Sequence, residues 1–224
     1  MAALSKRSYV DDSLRGRERR RFSRGASARP CFKPTRESGD PTRPGGWPSR
    51  YARRMDAFLT IASKREVREY ADRPIDPDVV RLILEAGRIA GSAANRQPWD
   101  FFVVESDEAR AKLAESVFAP SNVRGAQLVV VIAIRGRRQA GFDTGRVAQN
   151  MMLAAWSEGI GSCPNGMRDS EQVKTLLGLA QDQEPTIVLT FGHPARPSRP
   201  EAHSAMAWLE RADRRPLRDV VKRV

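Results

Sequence analysis

Gln127–Arg135 reads Q-L-V-V-V-I-A-I-R, an unbroken apolar core of β-branched and aliphatic residues between two polar ends. A membrane helix needs about 20 apolar residues, so this run is far too short to cross a bilayer. Its length and its valine and isoleucine content predict a strand buried on both faces. Such a strand needs partners beside it and layers above and below it. Two further runs supply partners: 99 to 105 (W-D-F-F-V-V-E) and 185 to 191 (P-T-I-V-L-T-F). Helical spacing supplies the layers. Residues 56 to 64 place Phe58, Ile61 and Ala62 on one face, ending in a cationic stretch. Asp76 is an N-cap with Pro77 at the first helical position, and Ile75 with Val80 forms a hydrophobic staple. Val79, Leu82, Ile83, Ala86, Ile89 and Ala90 then recur at the helical period. Ser106 caps a helix running to about Val117, and 142 to 158 forms a long helix with Gly159 at its C′ position. Asp169 with Gln172 resembles a capping box for 170 to 177. A short amphipathic piece around 206 to 209 and a terminal helix close the chain. Residues 119 to 122 break the pattern, and 160 to 167 read as irregular. The sum is one α+β domain over 55 to 224 with three strands, no internal repeat, and further strand pairing expected from a partner chain.

The formal net charge of +12 suggests a nucleic-acid partner until it is divided along the chain. Residues 1 to 54 hold 15 Lys/Arg against 5 Asp/Glu, leaving 24 against 22 for the remaining residues. The basicity therefore belongs to the N-terminal 54 residues, an Arg-rich stretch with few apolar residues and no period. It is expected to be disordered, because it buries too little apolar surface to offset the entropy of ordering. A nucleic-acid-binding arm and a transit peptide are the weaker readings of it. The stronger one places it upstream of the true start, at Met55. Two cysteines, Cys31 and Cys163, without a C-x-x-C, predict no disulfide framework and a reducing cytoplasm. His193 and His203 have no metal-ligand spacing. Cys163 reads as a small buried thiol before it reads as a nucleophile.

One stretch outside the core carries chemistry. Ser63-Lys64-Arg65-Glu66-Val67-Arg68-Glu69-Tyr70 sets three cations within five residues, after a helix and before the turn Asp72-Arg73-Pro74. They are placed to converge on one small anion, a phosphate above all; a solvated basic patch is the bland alternative.

These residues, taken with others, resemble the nitroreductase family. Lys64 to Tyr70 is similar to its R-R-S-x-R-x-F/Y, and Ala90-Gly91-Ser92-Ala93-Ala94-Asn95-Arg96-Gln97-Pro98-Trp99 to its A-P-S-x-x-N-x-Q-P-W. Gln149 to Ala155 followed by Gly159-Ile160-Gly161-Ser162 is similar to Q-N-x-x-L-A-A and G-x-G-S. Phe191-Gly192-His193-Pro194 and Arg214-Arg215-Pro216-Leu217 resemble the closing elements. The match runs in order through 55 to 224. It implies an α/β sandwich with a central, mostly antiparallel sheet flanked by helices and completed by a second copy. It implies FMN at the subunit interface of a homodimer, NAD(P)H as electron donor, and nitroaromatic, quinone or related small-molecule acceptors.

By that resemblance Lys64, Arg65 and Arg68 hold the flavin phosphate, for which guanidinium forks are suited, and Arg214 or Arg215 closes the site. Ser92, Asn95 and Gln97 face the ring or its tail, the two amides offering both donor and acceptor. Pro164, Asn165 and Gly166 lay backbone against the ring, where a glycine allows close approach. No protein acid or base is demanded, since hydride chemistry belongs to the flavin. Met151, Met152 and Trp99 read as core. Three departures stand out: Glu66 in place of Ser, Gly91 in place of Pro, and Asn165 where some members carry Glu. A short segment from Leu113 to Gln127 leaves no room for a helical cover, which implies an open site. The alternatives are a specialised member acting on flavin, a deazaflavin donor or halogenated aromatics, and, from another class, a nucleic-acid-binding protein acting through its basic tail.

Overall fold

The computed structural model describes residues 56–136 and 140–224; the Arg-rich stretch and its proposed start at Met55 lie outside the described residues. The buried run becomes β2 (Leu128–Arg135), of which every residue from Leu128 to Ile134 is buried. Its register places it between β1 (Trp99–Val103) and β4 (Gln183–Gly192), with Trp99 opposite Ile134 and Leu128 opposite Phe191. β3 (Gly161–Asn165) pairs with the far side of β4, giving an all-antiparallel sheet in the order β1-β2-β4-β3.

Because side chains alternate along a strand, β2 serves two cores. Leu128, Val130, Ile132 and Ile134 pack with Ile83, Val147, Met151 and Ala155 from α2 (Pro77–Arg88) and α5 (Ala140–Ser157). Val129 and Val131 pack with Leu113, Val117, Val123 and Val173 from α3 (Asp107–Glu115), α4 (Pro120–Gly125), α6 (Ser170–Leu177) and the loop after α3. Each fully buried aliphatic side chain contributes roughly 1.5–3 kcal/mol of transfer free energy. The fold is thus the expected α+β sandwich.

Local signals set the helix ends. Asp76 accepts from the Asp78 N–H at 2.9 Å, Ser106 from Ala109 at 3.2 Å and Asp169 from Gln172 at 2.9 Å. Gly159 lies at φ +75°, and the Ile160 N–H reaches back to the Ala155 carbonyl at 2.9 Å, closing α5. Three shorter helices complete the described chain: α1 (Ala57–Ser63), α7 (Ala205–Glu210) and α8 (Leu217–Val220).

Two readings of irregular structure are corrected. Residues 161–165 form a strand, which glycine and proline concealed; proline lacks a ladder donor and is tolerated because β3 lies at a sheet edge. The break at 119–122 begins α4, with Pro120 at its first position, a helix too short to show a period. No described helix is long and apolar enough to cross a membrane.

Candidate functional site

The cationic stretch leaves α1 and runs extended along the edge of the sheet. α1 is anchored where Trp156 Nε1 donates to Ser63 Oγ at 3.0 Å, both residues being buried. The Val67 N–H then donates to the Ser162 carbonyl at 3.0 Å, and Glu66 bridges to Ser162 in parallel. Two glycines permit this contact. A Cβ on Gly161 would lie 2.6 Å from Val67 Cβ, and one on Gly192 would lie 2.7 Å from the Tyr70 ring. The Tyr70 hydroxyl reaches the Val67 carbonyl at 2.8 Å and Thr190 Oγ1 at 2.9 Å. Burial pushes its pKa far up, so it remains a neutral structural group.

An extended segment sends successive side chains to opposite sides, and this divides the three cations. Lys64 and Glu66 share one side: Lys64 Nζ lies 2.8 Å from Glu66 Oε2 and 3.7 Å from Met152 Sδ. The Lys64 side chain is 7% exposed and that of Glu66 41% exposed. Alternation puts Arg68 on that side too, and Lys64, Glu66 and Arg68 all act electrostatically on the Cys163 thiol. Burial pushes that thiol up, Glu66 reinforces the shift, and the two cations oppose it. Cys163 is therefore a protonated, buried thiol and a poor nucleophile.

Arg65 turns the other way. Its Nη1 donates to the Ala62 and Lys64 carbonyls at 2.8 and 2.9 Å, closing the end of α1. Its guanidinium lies 5.0 Å from the centre of the Trp208 ring, and its buried Nη2 has no hydrogen-bond partner among the described residues. An open depression of about 430 Å³ runs along the segment, lined by Arg65, Glu66, Arg68, Trp156 and Arg196 among others. Arg196 is a cation that sequence reading missed, because the proline-rich stretch it shares with Arg199 matches no motif.

At the end of β3, Pro164 is half-buried and Gly166 exposed, while Asn165 is buried. The Asn165 side chain points inward. Its Nδ2 donates to the Cys163 carbonyl (3.0 Å) and Thr190 Oγ1 (3.1 Å), and its Oδ1 accepts from Asn122 Nδ2 at 2.6 Å. Phe118, which sequence reading did not single out, leans on Gly166: a Cβ there would meet its ring at 3.2 Å, and the ring is otherwise exposed.

The second group sits elsewhere. Gln97 N–H donates to Ser92 Oγ at 2.8 Å and Gln97 Nε2 to the Asn95 carbonyl at 3.3 Å, so the loop is tied to itself. Ala94, Asn95 and Gln97 have φ of 51°, 53° and 48°, left-handed conformations that non-glycine residues adopt at a cost. Asn95 and Gln97 are exposed. Gly91, the departure from proline, makes room for Arg146, whose guanidinium carbon would lie 3.0 Å from a Cβ there. Arg146 also stacks on Phe142 at 5.6 Å, beside a depression of about 450 Å³ along α5. The loop feeds Trp99 at one edge and end of the sheet, whereas the cationic stretch rides on Ser162 at the opposite edge and end. Strand spacing and rise place those two anchors roughly 25 Å apart. Arg214 and Arg215 are exposed and, among the described residues, bond the local carbonyls of Ala212, Asp213 and Asp219.

Among the described residues no His/Cys/Asp/Glu cluster has metal-binding geometry. Comparison with known proteins agrees with the motifs. Residues 61–137 and 117–193 match the nitroreductase family model. The NADPH-flavin oxidoreductase of Vibrio harveyi is 31% identical over 154 residues, spanning 60% of this chain and 64% of that protein. The solved NADPH:FMN oxidoreductase of V. harveyi, complexed with NAD⁺, superposes with a TM-score of 0.62 at 26% identity, covering 73% of this chain and 75% of that one. A Desulfovibrio desulfuricans protein solved in complex with FMN superposes with a TM-score of 0.63 at 28% identity, covering 76% and 98%.

Proposed function

This chain belongs to the nitroreductase family, and from that premise we propose that it is an FMN-dependent oxidoreductase taking hydride from NAD(P)H. The observation that carries the reading is the cationic segment fixed to the edge of β3, whose far end presents the backbone of Pro164 to Gly166. The donor set fits a phosphate-bearing flat ring. Lys64 and Arg68 lie on one side of the segment, Arg65 keeps a buried Nη2 without a partner among the described residues on the other, and Gly166 is exposed beside the Phe118 ring. Lys64 and Arg68 would hold the phosphate from one side of the segment, with Arg65, turned toward Trp208, supporting the segment from the other, and Arg214 or Arg215, a few residues beyond Trp208, closing the tail end. The bound flavin supplies the two-electron chemistry; the protein binds and orients it.

Ser92, Asn95 and Gln97 stand too far from this segment to share one ligand with it inside a single chain. We infer that they serve the site of a second copy, so that a homodimer holds two flavins between its subunits. Exposed apolar side chains on α1 (Phe58, Ile61) and α7 (Met206, Leu209) are consistent with a covered face. The acceptors proposed are nitroaromatics, quinones or related small molecules. Flavin itself is a second acceptor, favoured by the name of the V. harveyi relative. Protein purified with FMN present is expected to be yellow and to bleach anaerobically on adding NADH or NADPH. A colourless protein that takes up no added FMN would refute the reading.

A further inference from the structure

The ion pair in the middle of the cationic segment has no place in a simple phosphate cradle. Lys64 is nearly buried, and its ammonium is held by Glu66 Oε2 at 2.8 Å and Met152 Sδ at 3.7 Å. A buried ammonium without a counter-charge is strongly unfavourable. Glu66 meets that need, yet its own side chain is 41% exposed and stands on the open depression beside the segment. The two partners therefore differ in freedom: Lys64 is fixed by packing, while Glu66 can swing into water.

We propose that Glu66 is a built-in stand-in for the ligand's phosphate, occupying Lys64 in the empty protein and leaving when the anion arrives. This rests on the flavin reading above and adds to it a regulating residue within the same site. The carboxylate keeps the empty site stable and sets how tightly the anion is held, because phosphate must displace it and then remain near its charge. Removing the charge should act on the two states in opposite directions. Empty Glu66→Gln loses the counter-ion of Lys64 and becomes less stable. Its FMN complex loses a repulsion and becomes tighter. A merely structural ion pair would lower stability in both states.

The experiment compares wild type, Glu66→Gln and Glu69→Gln by thermal melting without ligand and by fluorescence titration with FMN. Glu69→Gln removes the same charge from a neighbour that lines the same depression, whereas the Lys64 ion pair is made by Glu66. The expected result is a lower melting temperature for empty Glu66→Gln together with FMN binding about tenfold tighter, the size expected for one charge a few ångströms away near the surface. Glu69→Gln should change neither by a comparable amount. Equal or weaker FMN binding by Glu66→Gln overturns the inference and leaves the flavin reading intact. So does equal tightening by Glu69→Gln, which would make the effect general electrostatics. FMN binding by none of the three proteins overturns the flavin reading and the inference together.

Discussion

Gly161→Ala tests whether the cationic segment is held against the sheet as described. The added methyl would lie 2.6 Å from Val67 Cβ and 2.7 and 2.8 Å from its two Cγ atoms. Ordinary carbon contacts lie near 3.5–4.0 Å, so the overlap approaches 1 Å. Rotating Val67 does not relieve it, because the closest atom is Cβ itself, whose position the backbone sets. The segment must move outward, stretching the 3.0 Å bond from the Val67 N–H to Ser162. Overpacking of this kind costs about 1–3 kcal/mol, which for a domain of this size lowers the melting temperature by roughly 2–12 °C. The same movement displaces Lys64 and Arg68, so FMN affinity should fall as well. Val67→Gly, which removes the closest atom, should relieve the clash, making the double variant more stable than the sum of the single effects. Differential scanning calorimetry with and without FMN reads both consequences. A Gly161→Ala protein that melts within about 1 °C of wild type and binds FMN equally well would refute the packing of the segment on β3.

Three further outcomes follow from particular contacts. Asn165→Asp keeps the shape of a buried side chain but replaces the donor facing the Cys163 carbonyl and Thr190 with a charged acceptor; it should cost more than about 2 kcal/mol in urea unfolding and more than Asn165→Ala. Ala94→Gly should stabilise the protein by up to about 1 kcal/mol, since the left-handed φ of 51° suits glycine and the gain is trimmed by a freer unfolded chain. Burial, then the charge of Arg73, holds His193 below its ordinary value of 6.5. The unfolded chain therefore binds a proton more readily than the folded one, and His193 supports stability fully above pH 6.5 and loses that support as pH falls through 6.5 toward the folded value. Melting curves of wild type and His193→Gln between pH 7.5 and 5 should diverge in that direction, with wild type losing ground on acidification.

Much of the fold was legible because local and global signals agree. The β2 run, the staple and proline at the start of α2, and the Asp169 cap each name one structure. β3 was not legible: Gly161 and Pro164 weigh against a strand, and only pairing with β4 at a sheet edge overrides them. The cations were legible as a group but not in their arrangement. Clustering in sequence suggested convergence, whereas an extended backbone sends Lys64 and Arg65 to opposite sides, and Arg65 goes to Trp208, more than 140 residues away. Arg196 and Phe118 reach the site from loops with no motif, so only the folded chain reveals them. The separation of Gln97 from Arg68 is likewise a matter of strand order, which periodicity does not contain.

That separation gives the most direct test of the central claim, a flavin held between Arg68 of one copy and Gln97 of another. Arg68→Ala and Gln97→Ala chains carrying different affinity tags are co-expressed, and mixed dimers are isolated through both tags and titrated with FMN. If the site is shared between copies, each single-variant dimer binds weakly, while the mixed dimer regains one wild-type-affinity site out of two. If each chain holds its own flavin, every site in the mixed dimer carries one lesion, and the absence of any wild-type-affinity site would contradict the account.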